Sequence, residues 1–415
     1  MAPELGTCDR ERCLQQHGAE VGPFPSAWLC TVLQEGQVNV SWLTLRRSGN
    51  GWSIGPTGLD LYDGVAGIAL FLAHYGRLTG DQLALELAAR GASSVLSGLG
   101  AGAVRSLGGF EGWGGALYAL SSMSTLLQDP SILQRLDDLV RGTEFDVESD
   151  VAYDIIGGAT GLIAGLLARH GIEPSDEAVR LAVRCGEHLV RSATRQAVGA
   201  GWVNRRIGTT PLTGFAHGAA GASWALSRLS AVTGLESFGA ATQDALAFER
   251  SVFAPTASNW PDLRDSARAS DGKTRFSVSW CHGAPGVGIA RLGMRMSGDL
   301  DPVLDTEIRA AVAATVRAGL HGNHSLCHGA LGNAEFLRLA AMHLSDPALA
   351  QRCEDAATVV ARMALAGRVR TGVSREVGVP GLMTGLAGIG LALLRHAEPL
   401  AVPCVLTLEP PRPRA

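Results

Sequence analysis

Two stretches of this chain carry the same chemically unusual triplet: Ser279-Trp280-Cys281-His282-Gly283-Ala284-Pro285-Gly286 and Ser325-Leu326-Cys327-His328-Gly329-Ala330-Leu331-Gly332. Thiolate and imidazole are both good ligands for a borderline-soft ion, and three such ligands leave a tetrahedral zinc with one open position. One Cys-His pair alone reads as a small buried hydrophobe beside a hydrogen-bonded core histidine. The repetition, each copy running into a Gly-x-x-Gly, favours metal. Cys281 and Cys327 are 46 residues apart, unlike the short spacings of a zinc finger, so only the fold can bring them together.

The elements that must do so announce themselves as a repeat. Gly64-Val65-Ala66-Gly67, Gly112-Trp113-Gly114-Gly115, Gly158-Ala159-Thr160-Gly161, Gly218-Ala219-Ala220-Gly221, Gly283-Ala284-Pro285-Gly286, Gly329-Ala330-Leu331-Gly332 and Gly385-Leu386-Ala387-Gly388 recur at spacings of 46 to 65 residues. That is room for two helices and two connections per copy. Most copies lead into a stretch apolar on every side, such as Ile68-Ala69-Leu70-Phe71-Leu72, which belongs in an interior. Between them lie segments with one apolar stripe, as with Ala178, Leu181, Ala182, Cys185 and Leu189, which predict outer helices. Asp129-Pro130 and Asp301-Pro302 mark two outer starts, Asp capping free amides and Pro fitting the first turn. The pattern predicts an all-α toroid of seven helical hairpins in two concentric rings, with helix N-termini and their glycines gathered at one mouth. The third copy is preceded by Tyr153-Asp154 and the fourth by Ala216-His217. If corresponding positions cluster, Asp154, His217, Cys281, Cys327 and His328 share one cavity.

Composition bounds the rest. The chain has 415 residues, 46% hydrophobic content and a net charge of -4, with no dense Lys/Arg cluster, so nucleic acid and anionic membrane surfaces are not expected partners. No uncharged apolar run reaches the roughly 18 residues of a spanning helix, and the start does not read as a secretory signal. Eight irregularly spread cysteines fit a reducing cytoplasm better than a disulfide framework, with Cys8 and Cys13 as free thiols. Residues 1–50 form an N-terminal extension of uncertain structure, with a short strand expected over Val38–Arg46; residues 51–410 form the toroid and 411–415 a tail. The polar connection from Pro255 to Thr274 is read either as a rim or lid over the site or as a mobile surface loop.

The two Cys-His-Gly segments, Gly214-Phe215-Ala216-His217-Gly218, the glycine pairs and Pro380-Gly381-Leu382-Met383-Thr384-Gly385 resemble the lanthionine cyclase family. Leu61-Tyr62-Asp63-Gly64 and Asn259-Trp260-Pro261-Asp262-Leu263-Arg264 are similar to the C-terminal cyclase domain of class II lanthipeptide synthetases. The resemblance, from about Trp52 to Pro410, implies an α/α toroid around a catalytic Zn2+. It also implies addition of a precursor-peptide cysteine thiol to dehydroalanine or dehydrobutyrine. Carried over residue by residue, Cys281, Cys327 and His328 would hold the zinc, and His217 would be the acid-base group with Asp154 beside it. His282 reads as support for the loop or a ligand; His321 and His324 read as solvent-exposed. The expected partner is a dehydrated precursor peptide. The large dehydratase domain of a full class II synthetase does not fit in the first fifty residues, so dehydration falls to a separate or missing partner, the chain being free-standing, a fragment of a longer synthetase or a relative put to another use.

Two other readings stand beside this one. Toroids also host prenyl transfer and glycoside hydrolysis, but the first uses a carboxylate among its zinc ligands and the second needs a carboxylate pair. A non-catalytic, peptide- or protein-binding scaffold would close its zinc with a fourth protein ligand, for which His282 and His324 are the candidates.

Overall fold

A computed structural model describes residues 29–34, 37–48, 51–267, 273–373 and 377–411. Each glycine pair opens a buried helix: α1 (Val65–Thr79), α3 (Trp113–Leu126), α5 (Ala159–Ile172), α7 (Ala219–Thr233), α9 (Ala284–Met296), α11 (Ala330–Leu344) and α13 (Leu386–Ala397). Six amphipathic helices alternate with them: α2 (Gln82–Gly100), α4 (Pro130–Gly142), α6 (Asp176–Ser192), α8 (Glu236–Val252), α10 (Val303–Ala318) and α12 (Pro347–Leu365). Each buried helix packs on the next, and α13 packs back on α1. The ring is closed, as an α/α toroid requires.

Four of the six outer helices start where an N-cap side chain caps them. Asp81, Asp129, Ser175 and Asp346 each accept a hydrogen bond from an amide of the first turn, satisfying donors that have no partner within the helix. Inner helices have no such cap, and glycine explains why. A Cβ on the second glycine of every pair (Gly67, Gly115, Gly161, Gly221, Gly286, Gly332, Gly388) would press into the carbonyl oxygen six residues earlier. The incoming loop therefore folds flat over the first turn of its own helix, and only glycine leaves room.

These loops also bond to one another. The residue two before the first glycine of each pair is Tyr62, Phe110, Ile156, Ala216, Cys281, Cys327 or Met383. Its amide donates to the carbonyl of the equivalent residue in the following repeat: Tyr62 to Phe110 (2.9 Å), Phe110 to Ile156 (3.3 Å), Ala216 to Cys281 (3.2 Å), Cys281 to Cys327 (3.3 Å), Cys327 to Met383 (2.9 Å) and Met383 to Tyr62 (2.6 Å). Six of seven seams in this girdle are backbone to backbone. Among the described residues, the seam between Ile156 and Ala216 has no such bond.

The seventh repeat is a half-repeat. No helix follows α13 among the described residues; the chain turns inward through a 3-10 turn, Val405–Thr407. Val402, Cys404, Val405, Leu406 and Leu408 are buried there, and the Trp280 indole N–H donates to the Leu406 carbonyl at 3.3 Å. At the other end of the described chain, β1 (Leu29–Gln34), β2 (Gln37–Ser48) and β3 (Gly51–Pro56) form an antiparallel sheet in the order β1-β2-β3. The strand expected over Val38–Arg46 is thus present within β2, which docks on α2 through Trp42, 1% exposed, and a 2.9 Å bond from the Val40 amide to Ser94 Oγ. Cys8 and Cys13 lie outside the described residues.

Candidate functional site

The girdle places the two Cys-His-Gly loops side by side at the mouth of the ring. Donor atoms of Cys281, Cys327 and His328 lie within 4.8 Å of one another, and no other group of three or more metal-ligating side chains occurs among the described residues. His328 Nε2 sits 3.1 Å from the Gly372 carbonyl. A carbonyl only accepts, so Nε2 carries the proton and Nδ1 keeps its lone pair for an ion.

The sulfurs are held in a graded environment. The Tyr62 hydroxyl donates to Cys327 Sγ at 2.9 Å, and Ser279 Oγ lies 3.3 Å from Cys281 Sγ. A hydrogen bond from Cys327 brings the Cys281 thiol below its ordinary value against the opposing effect of burial, helped by Ser279 and the charges of His328 and Arg264. Cys327 moves up in response, because it supplies that proton and is itself buried. Two adjacent thiols of which one ionises readily suit a divalent soft ion.

On the neighbouring loop stands the acid-base candidate. His217 Nδ1 is 2.7 Å from Asp154 Oδ2, the aspartate side chain being 4% exposed and the histidine 24%. Asp154 Oδ1 accepts from the Gly157 amide at 2.9 Å, and Asn204 Nδ2 donates to Oδ2 at 2.8 Å. The loop carrying His217 is anchored from below by Glu249, which accepts from the Gly214 amide at 3.0 Å and from the fully buried Arg291 at 2.8 Å. His217 also stacks on His282, ring centroids 5.6 Å apart.

His282 takes no part in the metal cluster. It is buried, which together with the charges of Arg264 and His217 holds its imidazole down at about 3 and therefore neutral. His321 is exposed as expected, whereas His324 is not. It is 6% exposed, and its Nδ1 accepts from the Arg370 amide at 2.9 Å while its own amide donates to the Arg370 carbonyl at 2.8 Å. Its ring thus fastens the second Cys-His loop to the 370–372 segment.

The connection after α8 lies on the rim rather than apart from it. Asn259 and Trp260 are buried, Asn259 Nδ2 donates to the Ser277 carbonyl at 2.9 Å, and Thr213 Oγ1 donates to the Pro261 carbonyl at 2.7 Å. Residues 259–264 thereby bridge the fourth and fifth loops. Arg264 grips Asp262 through Nε (2.9 Å) and Nη2 (2.6 Å).

Tyr62 and Ser279 stand inside recognised motifs without a role assigned to them, and Asn204 stands in none. Tyr62 was findable, since it occupies the same place before its glycine as Cys281 and Cys327. Asn204 comes from the connection between α6 and α7, after the hairpin of β4 (Thr194–Arg195) and β5 (Ala200–Gly201), where no pattern marks it.

A closed ring of helices with a soft-metal cluster and a His-Asp pair at one mouth defines a toroid with an enzyme-like site. The sequence profile of the family described as lanthionine synthetase C-like protein matches residues 55–407, and the chain belongs to that family. Among solved structures, nisin cyclase is similar at 19% identity, with 84% of this chain and 92% of that chain covered and a TM-score of 0.66. The unsaturated glucuronyl hydrolase from Bacillus sp. GL1 matches at 14% identity (68% and 80% covered, TM-score 0.42). The GH76A alpha-1,6-mannanase from Salegentibacter sp. HEL1_6 matches at 13% (76% and 96% covered, TM-score 0.45). No curated protein sequence matches the chain. Among the described residues, no helix is long and apolar enough to cross a membrane.

Proposed function

We propose that this protein is a zinc-dependent lanthionine cyclase, acting on a dehydrated precursor peptide through Cys281, Cys327 and His328 as zinc ligands and His217 with Asp154 as the acid-base pair. The observation that carries the reading is the meeting of three soft-ion donors within 4.8 Å beside a histidine whose Nδ1 is held by a carboxylate. The residues fit zinc: two sulfurs, one imidazole with its far nitrogen fixed by a carbonyl, and no fourth protein donor among the described residues. A purely structural site would normally be closed by four. Neither His282 nor His324 joins the three.

When bound, zinc would favour the thiolate form of a substrate cysteine near neutral pH. The reaction forms a bond from that sulfur to the β-carbon of dehydroalanine or dehydrobutyrine and breaks the carbon-carbon π bond. The electron pair passes to the α-carbon and its carbonyl as an enolate. A proton then reaches the α-carbon, so that S–H has added across the double bond with no change in overall oxidation state. Asp154 accepts from His217 Nδ1–H, which leaves Nε2 as the nitrogen that holds and delivers this proton. Because the substrate must arrive already dehydrated, a reaction that removes water from Ser or Thr has to precede this one.

Metal analysis of wild type and Cys327→Ala, beside cyclisation of a dehydrated cysteine-containing peptide followed by thiol alkylation, tests the proposal. About one zinc per chain, lost with the substitution, and thiols consumed only by the intact protein are expected. Equal zinc in both proteins would overturn the ligand set; zinc without thiol consumption would overturn the activity.

A further inference from the structure

The girdle of backbone bonds is open at one seam, between the third and fourth loops, and Asp154 and His217 stand on its two sides. Asp154 is two residues before Ile156 and His217 one residue after Ala216. Where every other seam is joined amide to carbonyl, this one is joined by the 2.7 Å side-chain contact of His217 with Asp154. Asn204 fastens it. Its Nδ2 donates to Asp154 Oδ2, the same oxygen that faces His217, while its Oδ1 accepts from the Arg206 amide at 3.1 Å. The Ile207 and Gly208 amides both donate to the Asn204 carbonyl, at 3.0 and 3.1 Å. The amide is therefore locked: a flipped Asn204 would set oxygen against carboxylate and NH2 against an amide N–H. At 6% exposure, its bond to Asp154 is shielded from competing water.

We propose that Asn204 is a positioning residue that acts on His217 through Asp154, holding the carboxylate aimed at Nδ1 so that Nε2 faces the substrate. The inference rests on His217 being the acid-base group. Asn204 stands beside the open seam, so the pair is braced there by a turn outside the repeat.

The test is the isosteric Asn204→Asp. It keeps the acceptor for the Arg206 amide, and with it the turn, but replaces the donor to Asp154 with a like charge. We expect kcat for cyclisation to fall about tenfold or more at unchanged KM and zinc content. We also expect the ratio of variant to wild-type rate to climb as pH falls, because a proton shared by the two carboxylates restores the donor. The other groups facing the pair, Glu111 and His282, with Arg264 and Asp262 acting on His282, are common to both proteins. In parallel, nitrogen NMR of histidine-labelled protein should show the His217 titration moving to higher pH in Asn204→Asp, where a charge is added, and to lower pH in Asn204→Ala, where the carboxylate loses its aim. An unmoved His217 titration overturns the proposal, as does a rate loss that tracks loss of folded protein and ignores pH. If wild type cyclises nothing, the function assigned above fails while the histidine titration still decides the role of Asn204.

Discussion

The two Cys-His-Gly loops have the same triplet and different histidines. In the loop before α11, Gly329 has extended geometry (φ -119°) and His328 is exposed toward Cys281 and Cys327. In the loop before α9, Gly283 has φ +91°, the only first glycine of the seven pairs with positive φ. There the Ser279 amide and hydroxyl both donate to the His282 carbonyl, at 3.1 and 3.2 Å, and Val278 bridges to Gly283. This extra turn rotates the peptide after His282, buries the imidazole and stacks it on His217. Equal sequence thus yields a ligand candidate in one copy and a wall for the acid-base candidate in the other. Backbone conformation, not residue type, divides the labour.

The sharpest way to break this comparison is to remove each histidine in turn. His328→Ala should weaken zinc by at least about a hundredfold, roughly 3 kcal/mol, since even partners one shell further out cost 10- to 100-fold. His282→Ala should leave zinc content unchanged and lower kcat by about tenfold through the loss of its packing on His217. Competition with a chelator of known affinity measures the first, and cyclisation kinetics the second. Equal zinc loss in both variants would make the triplets equivalent and refute the division.

A smaller effect is expected from the backbone itself. In Gly283→Ala the new Cβ would overlap the Ser277 carbonyl oxygen in a conformation that L-residues avoid. Strain of this kind costs on the order of 1–3 kcal/mol, so the variant should unfold at lower urea concentration by about that amount. If it is as stable as wild type, the positive φ is not needed and the turn does not set the place of His282.

The fold was legible because its cause is written into the sequence seven times: each loop needs a glycine under it. The metal candidates were legible for the same reason, sharing a register position that faces the mouth. What was hidden depends on conformation or on residues outside the repeat. Nothing in Cys281-His282-Gly283 tells its φ from that of Cys327-His328-Gly329, and Asn204 gains meaning only when the seam it closes is seen. His324 looked exposed because it lies in a polar stretch, yet two bonds to Arg370 bury it. The seventh hairpin was inferred from the seventh glycine pair, whereas the chain beyond α13 packs inward as an apolar segment. Arg291 is the reverse case, a charge within the inner helix α9 that is affordable because Glu249 and Glu307 meet it in the interior.

The two loops also differ in what supports them. The second is buttressed by backbone, through the Arg370 amide and carbonyl at His324 and the Gly372 carbonyl at His328. The first leans on a charge: Asp262 accepts from Ser277 Oγ at 2.9 Å and from Arg264. Burial opposes ionisation of Asp262, but the bonds from Arg264 and Ser277 outweigh it and hold the carboxyl down to about 2, from an ordinary 3.8. A carboxyl depressed in the folded state contributes stability above its unfolded value and loses it as pH falls through its folded value. Here the window runs from about 4 to about 2. Asp262→Asn should cost about 2 kcal/mol at neutral pH, a difference from wild type that narrows across that window. In wild type, amide exchange over residues 277–283 should accelerate through the same window before that over 324–329. Simultaneous loosening of both loops would show that Asp262 supports the rim as a whole, and the contrast in their buttresses would fall.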